Sequence, residues 1–176
     1  MMQRLRIVAG MVFVPTLIFL VYYPYRAISW RYDFVFSTPD EWVTQSWVEQ
    51  GAQIQFGQRL IYFAAWMIPV LFGIFALLIA LRILWSLARG EVFSNRMARM
   101  IFWMGMCGAL SSVMHLIAAA YSPMMLSWAN PSGPLPVRFW YSSTHFTNIF
   151  YGLAFVLMGW VMKEASRISE ENDGFL

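Results

Sequence analysis

The sequence predicts an all-α protein: an integral membrane four-helix bundle with a short amphipathic helix in its first outer loop. Three observations carry that prediction. Of the 176 residues, 60% are hydrophobic and only 12% are charged, against about 45–50% and roughly 25% in a soluble domain. Half the usual charge cannot wet a globule of this size, which argues against a soluble enzyme, a disordered chain and a nucleic-acid binder. The charges fall at the ends of long charge-free stretches, and Lys and Arg favour one set of connections over the other.

No Asp, Glu, Lys or Arg occurs between Arg6 and Arg26, from Leu60 to Leu81, from Met100 to Val137, or from Phe139 to Met162. A hydrocarbon core about 30 Å thick takes around 20 residues of helix. The first, second and fourth stretches fit one span each. The third is longer, but Pro123, Asn130, Pro131, Gly133, Pro134 and Pro136 interrupt its second half. The chain therefore reads as one transmembrane domain, 1–176, with spans at about 5–25, 59–86, 97–121 and 142–165 and outer loops at 26–58 and 122–141. Inside lipid each backbone N–H and C=O must be paired within the segment, which makes helix the natural state of such runs. The first span is expected to be retained, because it ends in Tyr22-Tyr23-Pro24-Tyr25-Arg26 and not in a small-residue cleavage site.

Orientation follows Lys and Arg counts. Arg4, Arg6, Arg82, Arg89, Arg96, Arg99, Lys163 and Arg167 lie on one side, and Arg26, Arg31, Arg59 and Arg138 on the other, eight against four. Both termini are expected in the cytoplasm of a bacterial inner membrane. Trp30, Tyr32, Trp42, Trp47, Trp128, Trp140 and Tyr141 in the outer loops suit an interfacial aromatic belt.

Within the first outer loop, Thr38-Pro39-Asp40-Glu41 reads as a helix start, with Thr38 as cap, and Gly51 as a stop. Trp42, Val43 and Trp47 give that helix one apolar face, suited to the membrane surface or to a partner. The alternation of apolar and polar residues over 30–36 and 52–56 has the period of strands and predicts a small ribbon. The second outer loop, with its prolines, predicts a stiff irregular connection. In the inner connection Gly90 is expected to end the second helix and Ser94 to cap the third.

Small and polar residues, the usual glue between membrane helices, recur at spacings of three and four. Gly105, Gly108, Ser112, His115 and Ala119 form one stripe; His145, Asn148, Gly152, Phe155 and Gly159 form another. Gly105, Gly108, Ser112, His115, Asn148 and Gly152 are the expected packed, partly polar interior, with a hydrogen bond between His115 and Asn148. Pro15 and Pro69 are expected to kink their helices. His115 and His145 are the only histidines, and they are candidate cofactor ligands, to a haem b or beside a quinone. The single cysteine, Cys107, excludes an intrachain disulfide and a Cys-based zinc site, and no Glu-x-x-His pair supports another metal centre. No carboxylate, lysine or arginine lies mid-span, where an ion or proton path usually needs one. Neither hydroxyl nor histidine has the partners of a catalytic nucleophile, so no catalytic residue is assigned. The expected partners are membrane lipids and other membrane proteins, with no nucleic acid.

Leu87-Ala88-Arg89-Gly90-Glu91-Val92-Phe93-Ser94, followed by Arg96 and Ala98-Arg99, resembles the inner connection of the YoaS-like family of bacterial membrane proteins. The helix-four exit, Val161-Met162-Lys163-Glu164-Ala165-Ser166 running on to Glu170-Glu171-Asn172-Asp173, is similar to that family's ending. The proline-rich second outer loop and the final Gly174-Phe175-Leu176 depart from it. The resemblance covers most of the chain through four spans in the same order. It implies a small inner-membrane protein of unknown function, encoded often beside helix-turn-helix regulators, and it supplies no catalytic residue. The function expected from all of this is non-enzymatic: a regulatory partner or accessory subunit of a larger membrane complex. The alternative is a haem- or quinone-binding redox protein using His115 and His145.

Overall fold

The computed structural model describes residues 2–36, 47–49, 51–90, 94–139 and 143–173. Four helices follow one another: α1 (Met2–Phe36), α2 (Phe56–Ala88), α3 (Asn95–Ser127) and α4 (Ser143–Asp173). Each holds a stretch long and apolar enough to cross a membrane: Ile7–Ser29, Phe56–Ala88, Asn95–Ser127 and Ser143–Ile168. The fold is an all-α four-helix bundle, and the chain is a multi-pass membrane protein.

The helices have 35, 33, 33 and 31 residues, so each is about 46–53 Å long and overshoots a hydrocarbon core of about 30 Å. That overshoot corrects two boundaries. Residues 26–36, expected as loop and strand, continue α1. Residues 122–127, expected as loop, continue α3 through Pro123. A charge marks where the hydrocarbon ends, not where the helix ends. Over 30–36 the alternation is overridden by helical contacts: Tyr32 and Phe36, one turn apart, have ring centroids 4.5 Å apart. Arg59 of α2 donates to the Val35 carbonyl in the last turn of α1 at 3.4 Å, pairing a backbone group the helix itself leaves open. The expected surface helix after Thr38 falls mostly outside the described residues. Its end, Trp47 and Val48, forms a turn and a bend.

At the other end of the bundle, Gly90 takes φ +87° beyond the C-cap Arg89, a left-handed conformation suited to glycine. Ser94 caps α3 by accepting from the Met97 N–H at 3.2 Å. Both helix signals were legible in the sequence, because a cap is decided by one or two residues.

Among the described residues each helix packs on its neighbours in the chain, and pairs that skip a helix barely touch. The tightest seam joins α3 to α4. A Cβ built on Gly105 would lie 2.5 Å from the Gly152 carbonyl oxygen; one on Gly152 would lie 2.7 Å from the Ala109 nitrogen; one on Gly159 would lie 2.5 Å from the Phe102 nitrogen. Only hydrogen fits at these three positions, so the backbones touch. Between α2 and α3 the Ser111 hydroxyl donates to the Pro69 carbonyl at 2.7 Å. Between α1 and α2, the Tyr23 ring lies across Gly73, 2.9 Å from where a Cβ would sit.

The connections at the loop-bearing end are tied into one lid. Asn130 is buried. Its Oδ1 accepts from the Glu49 N–H at 3.1 Å, and its Nδ2 donates to the Trp47 carbonyl at 3.0 Å. Ser132 donates to the Glu49 carboxylate. The Ser127 hydroxyl accepts from the Leu135 N–H at 2.7 Å, and the Arg138 N–H donates to the Ala120 carbonyl at 3.2 Å. Beneath this lid Val48, Ile54, Tyr62 and Leu126 form a buried apolar cluster, with Trp47, Ala52 and Trp66 against it. The stiffness expected of the second loop thus comes from its hydrogen bonds to α3 and to the first loop as well as from its prolines.

Candidate functional site

Two features merit a functional reading: a polar aromatic cluster under the lid and a groove along the bundle. The cluster is centred on Trp66 of α2. Its Nε1 donates to the Ser122 hydroxyl at 3.0 Å, and that hydroxyl donates in turn to the Ala118 carbonyl at 2.6 Å. The Arg31 guanidinium lies over the Trp66 ring, 4.2 Å from its centroid. Such a contact stabilises by about 2 kcal/mol when desolvated. Arg31 is only 7% exposed and also donates to the Ala27 carbonyl at 3.2 Å. Burial pulls its guanidinium below the ordinary arginine range, while Tyr62 and then Tyr23 act in the opposite direction.

His115 completes the cluster. Its ring meets Trp66 edge-on with centroids 4.7 Å apart, and meets the His145 ring at 4.8 Å with a 34° tilt. The two histidines of α3 and α4 are therefore brought together. The hydrogen bond expected from His115 to Asn148 is not formed; His115 pairs with His145 and Trp66 instead. As they stand, the two imidazoles meet each other with Trp66 edge-on to His115, so a haem iron between them would need the rings moved apart. Among the described residues no group of three His, Cys, Asp or Glu is placed to hold a metal ion.

Composition missed Arg31 and Trp66. Arg31 lay in a stretch read as loop, and Trp66 was one apolar residue among many. The available signal was the spacing from Tyr62 to Trp66, one helical turn, which gives α2 a face of two polar aromatics near its loop end.

The second feature is a groove of about 400 Å³ at the level of the small-residue seam. Its floor is Gly73, Ala76 and Ala80 of α2 and Gly105, Gly108 and Ser112 of α3. Phe19 and Tyr23 of α1 form one wall, and Asn148 and Tyr151 of α4 belong to the other. The groove exists because α1 and α4 flank the central pair without packing on one another. Gly108, expected inside the seam with Gly105, faces this groove: a Cβ there would meet nothing within 4 Å. Asn148, also expected in the packed interior, is exposed on the rim. Gly152 meets Gly105 and Ala109, so Asn148, one turn nearer the start of α4, lies level with Ser112, close to the midpoint of α3. Among the described residues no hydrogen bond reaches its side chain.

A family model for proteins of unknown function, DUF2975, matches residues 25–174. The chain belongs to the DUF2975 family. The match takes in Arg31, Trp66, His115, His145 and the α3–α4 seam, while most of the first span precedes it. No curated protein and no solved structure matches this DUF2975 chain.

Proposed function

We propose that this DUF2975 protein is a non-enzymatic accessory subunit of a bacterial cytoplasmic membrane, related to the YoaS-like proteins, with both termini in the cytoplasm. It acts by seating a transmembrane helix of a partner protein in the groove between α1 and α4. One observation carries this reading: Asn148 presents a carboxamide to the groove at the depth of the bundle's middle, with no hydrogen bond from the described residues. A bare amide in hydrocarbon costs a few kcal/mol. An interhelical hydrogen bond, about 1 kcal/mol in lipid, gives it a partner. The glycine and alanine floor allows the close backbone approach that membrane helices use to associate. The histidine pair is a packing contact beneath the lid in this reading.

Photo-crosslinking in native membranes tests it. A crosslinking amino acid at Tyr151, on the rim, is expected to capture one protein. The same amino acid at Phe150, 75% exposed and not among the groove residues, is expected to capture only lipid. Gly108→Leu, which fills the groove, should remove the Tyr151 product while the protein stays folded. Equal products from both positions, or a Tyr151 product that survives Gly108→Leu, would contradict the assignment. A Soret band in the purified protein that disappears on His115→Ala would replace it with the redox alternative.

A further inference from the structure

The end of the bundle opposite the lid carries a second pocket that the proposed helix contact does not use. It is about 500 Å³ in volume, lies between the last turns of α2 and the first turns of α3, and is lined by Ile79, Arg82, Arg96, Arg99, Met100 and Trp103. We propose that it is a binding site for an anionic phospholipid, which the arginines hold by its phosphate while the apolar residues receive its acyl chains.

The lining is layered. Each arginine has an apolar residue one helical turn deeper: Ile79 three residues before Arg82, Met100 four after Arg96, and Trp103 four after Arg99. Residues three or four apart share a helix face, with a rise of about 5–6 Å. The pocket therefore presents guanidinium groups toward the helix ends and apolar side chains toward the membrane interior, in the order in which a phospholipid presents phosphate and chains. No lining residue is acidic. Among the described residues the ion pairs are both made by Arg167, so Arg82, Arg96 and Arg99 form none. Three like charges around one pocket repel one another, and an anion between them relieves that repulsion. The guanidinium fork matches the oxygens of a phosphodiester better than a point charge does. Basic pockets between membrane helices bind anionic head groups by this chemistry. Trp103, half-exposed, adds an amphipathic ring at the boundary.

Native mass spectrometry of the full chain in detergent micelles tests the site, with dioleoylphosphatidylglycerol, dioleoylphosphatidylcholine and inorganic phosphate as probes. In micelles the membrane orientation does not enter. Phosphatidylglycerol is expected to bind at least about tenfold more tightly than phosphatidylcholine. The triple variant Arg82→Gln, Arg96→Gln, Arg99→Gln is expected to lose that preference, and Arg138→Gln, at the opposite end, to keep it. Each single change should weaken phosphatidylglycerol by about threefold to fivefold, which keeps the series readable if the triple variant does not fold. Equal binding of the two lipids, or single variants that all bind as the parent does, would overturn the proposal. So would millimolar inorganic phosphate that displaces the lipid, because the site would then serve a free anion.

Discussion

Gly152→Ala is expected to destabilise the protein by about 2–3 kcal/mol and Gly105→Ala by a similar amount, through overpacking of a seam that cannot give. The added methyl at either position meets backbone atoms of the facing helix at 2.5–2.9 Å. Backbone cannot rotate out of the way as a side chain can, so α3 and α4 must move apart along much of their contact. In lipid that separation is not opposed by a strong hydrophobic effect between helices, and the lost close packing is most of what held them. Gly108→Ala, one turn from Gly105, should change stability by less than about 0.5 kcal/mol, because its methyl enters the open groove. Cys107, the one cysteine, lies on α3 two residues from Gly105 and supplies the readout. Its reaction with a thiol dye during heating should begin at lower temperature in the Gly152 and Gly105 variants and be unchanged in the Gly108 variant. Equal effects at Gly105 and Gly108 would mean that α3 is rotated from the arrangement described.

The second large effect is expected at Trp66. Trp66→Ala removes the ring under the Arg31 guanidinium, the edge contact to His115 and the donor to Ser122 at once. A loss of about 2–4 kcal/mol follows, because the partly buried ring leaves a smaller cavity than a core aromatic would while the Arg31 cation loses its aromatic face. Trp66→Phe keeps a ring and loses the donor to Ser122, so it should cost about 1 kcal/mol. The ratio of the two losses, read from denaturant titrations in mixed micelles, separates the packing role from the hydrogen bond. If alanine and phenylalanine were equally tolerated, Trp66 would not be the centre of the cluster under the lid.

The spans were legible in the sequence because they depend on runs of residues, and the absence of charge over about 20 positions is hard to satisfy in any other way. The caps at Gly90 and Ser94 were legible for the opposite reason, since each is a local decision. What the sequence withheld was rotation. Gly105 and Gly108 sit on one helix at a spacing that suits a common face, yet Gly105 presses on α4 and Gly108 looks into the groove. A three-residue step turns the helix by about 300°, and whether the remaining difference matters depends on where the neighbour stands. The histidine pair was hidden by register instead: the expected hydrogen bond put Asn148 at the depth of His115, but α4 is shifted by about one turn along α3, so His145 meets His115 while Asn148, level with Ser112, lies on the rim. Arg31 was hidden by a different rule. Charge was read as the end of structure, whereas α1 carries Arg31 beyond the hydrocarbon and under a lid, where Trp66 stabilises it.

Four crossings, with the two long connections on one face of the membrane and the short connection and the end of α4 on the other, underlie every assignment above. Single cysteines in a Cys107→Ala background test this directly, at Gln53 and Ser132 on the lid, and at Asn95 and Glu171 on the opposite end. For the bacterial membrane and orientation proposed above, a membrane-impermeant maleimide applied to intact spheroplasts is predicted to label Gln53→Cys and Ser132→Cys and to reach Asn95→Cys and Glu171→Cys only after permeabilisation. Labelling of Gln53→Cys and Glu171→Cys from the same side, or of Gln53→Cys and Ser132→Cys from opposite sides, would contradict the fourfold crossing.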